Sequence, residues 1–290
     1  MEGASCCKGS GFVISLTSRP FHACIHCIFQ EYITVCKYAC PFVHFYHRPY
    51  KINDMENSLL VLCLAVASLG FILWHAFATS LRLPSRYQVM YDNNPPYVKR
   101  VLRRRTFGTI IYALVPLIII RWTDWVGRPS LHDLTISFQI NNEVLIYTGI
   151  GIVLVIVVSL LTTRTQSSLE VYPEVRVRFW RPNILFLSAL TWTIYIVSVE
   201  FFYRGLLLQT LLLHLDRIPA ISACAALFGL THYFRLNRMT IVSIVWGVVS
   251  CLIVLQTGSL IPVIAIHLSI SLVTEWLSIK HHKEMYVRRT

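Results

Sequence analysis

Residues 183–215 read NILFLSALTWTIYIVSVEFFYRGLLLQTLLLHL. The stretch is apolar over a length that crosses a bilayer as a helix. In its middle stand one acid and one base, Glu200 and Arg204. A charge at the centre of a bilayer helix costs about 2.5–3.5 kcal/mol on insertion scales. The i,i+4 spacing sets both on one helical face, where they pair. The rest of the chain is read by asking what meets that face.

Composition agrees with a membrane setting. Of the 290 residues 55% are hydrophobic and only 14% charged, and the mean hydropathy is +0.59. Soluble chains carry about 25% charged residues. The formal charge is +12. The bases fall between apolar segments rather than in one patch, which argues against nucleic acid and for basic loops on one membrane face, drawn to anionic lipid headgroups. The fold class expected is all-α, a polytopic integral membrane protein.

Seven apolar segments are expected to span, near Ser58–Thr79, Phe107–Ile120, Val144–Leu161, Asn183–Leu215, Ala220–Tyr233, Thr240–Leu255 and Leu260–Ile279. The short second and fifth leave room for merged, broken or re-entrant helices. The third has no charge and reads as lipid-facing or scaffold. Alternate crossings put four basic regions on one side: the cluster at 99–105, the loop from Arg164 to Arg181, Arg235 with Arg238, and the tail from Lys280. By the positive-inside rule that side, with the C-terminus, is cytoplasmic.

Residues 1–54 differ from all this. They hold six of the nine cysteines, with His and aromatics and no sustained period. Cys24, Cys27, Cys36 and Cys40, with His44 and His47, have zinc-ligand chemistry but no standard finger spacing. The favoured reading is a poorly defined extension, with Met55 the natural start because a well-formed span follows it. The division expected is then 55–181 for the N-terminal spans, 182–280 for a polar-centred bundle, and 281–290 for a basic tail. Cys63, Cys224 and Cys251 lie in apolar segments and read as small core residues.

Three polar features recur in the last four segments: Glu200 to Gly205, Phe228-Gly229-Leu230-Thr231-His232, and His267 with Ser271 one turn on. Each taken singly has a packing explanation: an interhelical hydrogen bond for a lone His, an intrahelical ion pair for Glu200–Arg204, interhelical glue for Ser271. Taken together they call for a shared polar cavity, because lipid offers a buried imidazole or carboxylate no partner. A shielded carboxylate beside an imidazole can position and deprotonate a water, and a second imidazole with a short polar side chain can donate to an oxyanion. That set suits peptide hydrolysis without a covalent intermediate. Two His and one Glu are also a zinc set by type, but the spacing does not match the helical zinc signature, and no cofactor is expected.

The ordered set VEFFYRG, FGLTH and TGSLIPVIAIHLSIS resembles the CAAX protease and bacteriocin-processing family of intramembrane endopeptidases, which includes CAAX prenyl proteases and relatives of lysostaphin-resistance proteins. The likeness covers roughly 181–279. The family pattern is Glu-Glu-x-x-x-Arg, then Phe-x-x-x-His, then His-x-x-x-Asn or Asp. Arg204, Gly205, Phe228, His232 and His267 fit it. Glu200 matches the second glutamate; Val199 replaces the first, and Ser271 stands for Asn or Asp. The resemblance implies a glutamic-type endopeptidase acting on peptide or protein substrates, lipid-modified ones among them. In it Glu200 would act as base beside His232, with His267 and Ser271 at the oxyanion and Arg204 as the ion-pair partner. It also implies that the first glutamate activates the water with the Phe-x-x-x-His histidine, so Val199 opens a second reading: a pseudoprotease that binds or scaffolds in the membrane. A transporter is the third reading, and no internal repeat supports it.

Overall fold

A computed structural model describes residues 54–80, 95–122, 138–232 and 237–288. All of these lie in the second of the chain's two units, Ile52–Thr290. The Cys/His cluster before Pro41, with His44 and His47, lies outside the described residues, as do Arg235 and part of the loops.

The regular structure of the described residues is helical apart from one two-residue strand pair. Helix α1 runs as α-helix over Asp54–Ala65, as a π segment over Val66–Gly70 and as α-helix over Phe71–Ser80. Helix α2 repeats that pattern over Pro95–Thr109, Ile110–Leu114 and Val115–Trp122. Helix α3 is Asn142–Thr162 and short helix α4 is Gln166–Leu169. Strand β1, Phe179–Trp180, precedes α5. Helix α5 comprises Pro182–Glu200, a π segment at Phe201–Leu207 and Leu208–His214. Then come α6 (Arg217–Leu230), α7 (Asn237–Thr257), α8 (Ile261–His281) and β2 (Tyr286–Val287).

Among the described residues five helices are long and apolar enough to cross a membrane: 57–77, 142–162, 182–214, 239–257 and 261–281. The polytopic all-α architecture holds, and the two short segments account for the difference from seven. The fifth is α6, an apolar helix of 14 residues. The second is the C-terminal part of α2, whose first turns carry Lys99, Arg100 and Arg103–Arg105 on one continuous helix rather than in a loop. Helix α3, expected to be lipid-facing or scaffold, is mostly uncovered by the rest of the bundle: only Val144 and Ser159 are buried.

Small residues let the helices approach, as they must where lipid supplies no hydrophobic drive between them. A Cβ built on Gly247 of α7 would stand 2.9 Å from the Cα of Ala225 in α6. One on Gly151 of α3 would overlap Ile266 of α8. Ser159 and Thr274 add a hydroxyl–hydroxyl contact of 3.1 Å across the α3–α8 seam.

The second π segment packs against both of the others. A π turn carries i→i+5 bonds and widens the helix, and such turns gather at functional sites. Tyr112 of the second packs on Phe202 and Tyr203 of the third, with ring centroids 5.5 and 5.7 Å apart. These aromatics belong to the main apolar core, which α1, α2, α5, α6 and Cys251 of α7 build together. Cys63, Cys224 and Cys251 are buried free thiols, as small core residues are.

A second, polar knot ties the other end of the bundle. Arg105, 2% exposed, donates to Glu174 Oε2 (2.9 Å), to the Ser188 carbonyl (3.0 Å) and to Glu275 Oε1 (3.5 Å). Its guanidinium lies 4.1 Å over the Trp192 ring, and Arg104 pairs with the same Glu174. Close by, β1 and β2 pair in parallel, fixing the chain after α8 against the entry to α5.

Candidate functional site

Two local features of the sequence aim the site. At the α7–α8 junction, Gly258 takes a positive φ of 63°, the left-handed conformation that ends a helix at low cost to glycine. Ser259 Oγ then accepts from the Ile261 amide, and Pro262 sits in the first turn of α8. This stop and start sets His267 on the second turn of α8. In α5, the regular helix gives way to the π segment directly after Glu200.

Glu200 and Arg204 are both fully buried. The i,i+4 pair forms as the spacing predicts, with Arg204 Nη1 3.1 Å from Glu200 Oε2. The second carboxylate oxygen, Oε1, accepts from His267 Nδ1–H at 2.5 Å. A carboxylate only accepts, so this bond assigns the Nδ1 proton to His267 and leaves its Nε2 with a lone pair in the neutral ring. The Arg204 guanidinium centre lies 4.1 Å over the Phe228 ring, a buried cation–π contact.

Phe228 is the hub. Its ring stands edge-on to His267 at 6.1 Å between centroids and tilted to His232 at 5.3 Å. His232 Nδ1 is 2.9 Å from Thr231 Oγ1, and that hydroxyl donates to the Phe228 carbonyl at 2.7 Å. With the hydroxyl proton spent on the carbonyl, Thr231 accepts from His232 Nδ1–H. His232 thus also keeps Nε2 as an acceptor. Two imidazoles packed against one phenyl ring are held in the same tautomer by different devices.

The sequence pattern sets Glu200 beside His232. In the fold Glu200 divides its oxygens between His267 and Arg204, while His232 is oriented by Thr231. Ser271 is buried one turn beyond His267 on α8. Val199, 4% exposed, lies in the apolar core with side chains of α1 and α2. An acid at that position would meet hydrocarbon. Among the described residues no three His, Cys, Asp or Glu side chains gather as a metal-binding set.

Sequence reasoning missed two residues. Trp246 of α7 packs its ring 5.9 Å from that of His267, and a single tryptophan in an apolar span carries no signal of such a role. Glu275 did carry one: it is an acid inside an apolar segment, and the intramembrane-charge argument applied to Glu200 picks it out equally. It serves the Arg105 knot rather than the Glu200 centre.

No curated protein and no solved structure matches the chain. The stretch 172–273, which includes Val199, Glu200, Arg204, Phe228, His232, His267 and Ser271, matches the family model described as type II CAAX prenyl endopeptidase Rce1-like, and all three motifs fall inside the matched stretch.

Proposed function

We propose that this chain is an intramembrane endopeptidase that hydrolyses a peptide bond with a water activated by histidine. The observation that carries the reading is the Glu200–His267 contact of 2.5 Å within a CAAX-protease-type segment. Glu200 orients His267 and stabilises its imidazolium, so that Nε2 takes a proton from water. His232, with Nε2 also an acceptor, takes the second water-derived proton from the hydroxyl of the tetrahedral intermediate. It passes that proton to the leaving amine as the C–N bond breaks, and His267 returns its own proton to solvent. Ser271 offers a hydroxyl to the oxyanion that forms on the scissile carbonyl. Glu200 is then a positioning residue, because both of its oxygens are already engaged, and Arg204 holds it in place. The substrate is a peptide or protein segment reached from the membrane, and the matched family's name points to prenylated chains. The basic loops and tail favour a cytoplasmic C-terminus.

The test is cleavage of an internally quenched reporter peptide by the purified chain in detergent. Wild type is expected to turn over, and His232→Ala to lose about a hundredfold or more in kcat, the scale of general acid–base catalysis. Equal rates in the two would overturn the reading.

Val199 favours a second reading, a pseudoprotease that binds peptide without cutting it. Its side chain is packed in the apolar core where the family has a water-activating acid. On that reading wild type binds reporter without turnover, and Val199→Glu gains cleavage. Val199→Glu that leaves turnover absent, or a wild type that cleaves, counts against it.

A further inference from the structure

The first two turns of α5 and the last turns of α8 flank a groove of about 720 Å³ on the outside of the bundle. Leu185, Phe186 and Ala189 line one wall, and Trp276, Ile279 and Lys280 the other. The segment Met285–Val287 contributes to its lining, held there by the β1–β2 pairing. The groove is therefore a built feature of two spans and a folded-back tail, not a bare helix face.

We propose that this groove binds one anionic phospholipid, with an acyl chain along the apolar walls and the phosphate at Lys280. Three observations point to that occupant. Phe186 and Trp276, 65% and 49% exposed, present rings at the end of the bundle where basic residues gather, the depth at which aromatics sit against headgroups. Exposed bases surround the mouth in sequence: Arg181, Lys280, Lys283 and Arg288 against one acid, Glu284. The lipid-facing surface of α3, by contrast, is apolar without a base along Val144–Leu161, and offers a headgroup nothing. An apolar slot with a lysine in its lining fits a molecule that is hydrocarbon at one end and anionic at the other. The inference is independent of whether the chain cleaves peptides.

Native mass spectrometry of the full chain tests it, from micelles containing equal phosphatidylglycerol and phosphatidylcholine. One phosphatidylglycerol per chain is expected to survive, preferred about fivefold or more. Lys280→Glu should lower that retention roughly tenfold. Ala189→Trp, which fills a wall, should lower retention of both lipids. Lys280 is exposed, so its reversal leaves the fold intact and carries the test if Ala189→Trp does not fold. Equal retention of the two lipids, retention unmoved by Lys280→Glu, a dimer mass in place of the lipid adduct, or displacement of the lipid by a farnesylated peptide would each overturn the proposal.

Discussion

Glu200→Gln is expected to lower kcat by about a hundredfold or more while leaving KM within a few-fold. Gln is nearly the same shape, and its amide oxygen still accepts from His267 Nδ1–H, so the ring stays where it is. What goes is the negative charge that stabilises an imidazolium in a site shielded from water. General base catalysis by an oriented histidine supplies about 10²–10⁴-fold, and a His without its carboxylate forfeits much of it. The 2.5 Å contact makes a further demand. If Glu200 works through His267, their losses do not add: His267→Ala with Glu200→Gln should be no slower than His267→Ala alone. Steady-state kinetics on the four proteins of that cycle decide the matter. Fully additive losses would mean that Glu200 acts on water by itself, as a base beside His232, and wild-type rates in Glu200→Gln would remove it from the chemistry altogether.

How far the sequence led can be judged residue by residue. The stretch Asn183–Leu215 gave the longest helix almost to its ends, since the observed bounds are Pro182 and His214. A thirty-residue apolar run has few other ways to bury its backbone in lipid. The pairing of Glu200 with Arg204 was legible too, although the backbone between them is π-helical, because residues four apart remain neighbours in the wider turn. The partner of the free carboxylate oxygen was not legible. His267 lies 67 positions away, and periodicity along a helix says which face is apolar without saying which helix it meets. The same limit hid the Arg105 knot. Arg105 belongs to a basic run that reads as a cytoplasmic loop, yet it is buried against Glu275, 170 positions on. Charge counting assigned the run to a side of the membrane and could not tell its buried member, Arg105, from the exposed Lys99 and Arg103.

Arg204→Leu is expected to be the most destabilising single change in the polar centre. The guanidinium is fully buried, pairs with Glu200 and covers the face of Phe228. Removing it leaves a carboxylate in an apolar interior with one histidine for company, and breaking a buried pair in this way costs about 3–5 kcal/mol. For a domain of this size that lowers Tm by roughly 10 °C. The loss comes from the stranded charge rather than from the missing contact, so it should be repaired by removing the charge. Arg204→Leu combined with Glu200→Leu is expected to recover most of the lost Tm, because two leucines fill similar volume and no buried charge is left unpaired. The double variant should nonetheless cleave nothing, since His267 has lost its orienting carboxylate. Thermal unfolding in detergent, read beside reporter cleavage, separates the two effects. A double variant as unstable as Arg204→Leu would show that packing on Phe228 and Tyr203, not charge balance, holds the centre together. Recovery of stability without activity would mean that this pair persists in the bilayer helix for the chemistry it arranges, at a cost the fold alone does not require.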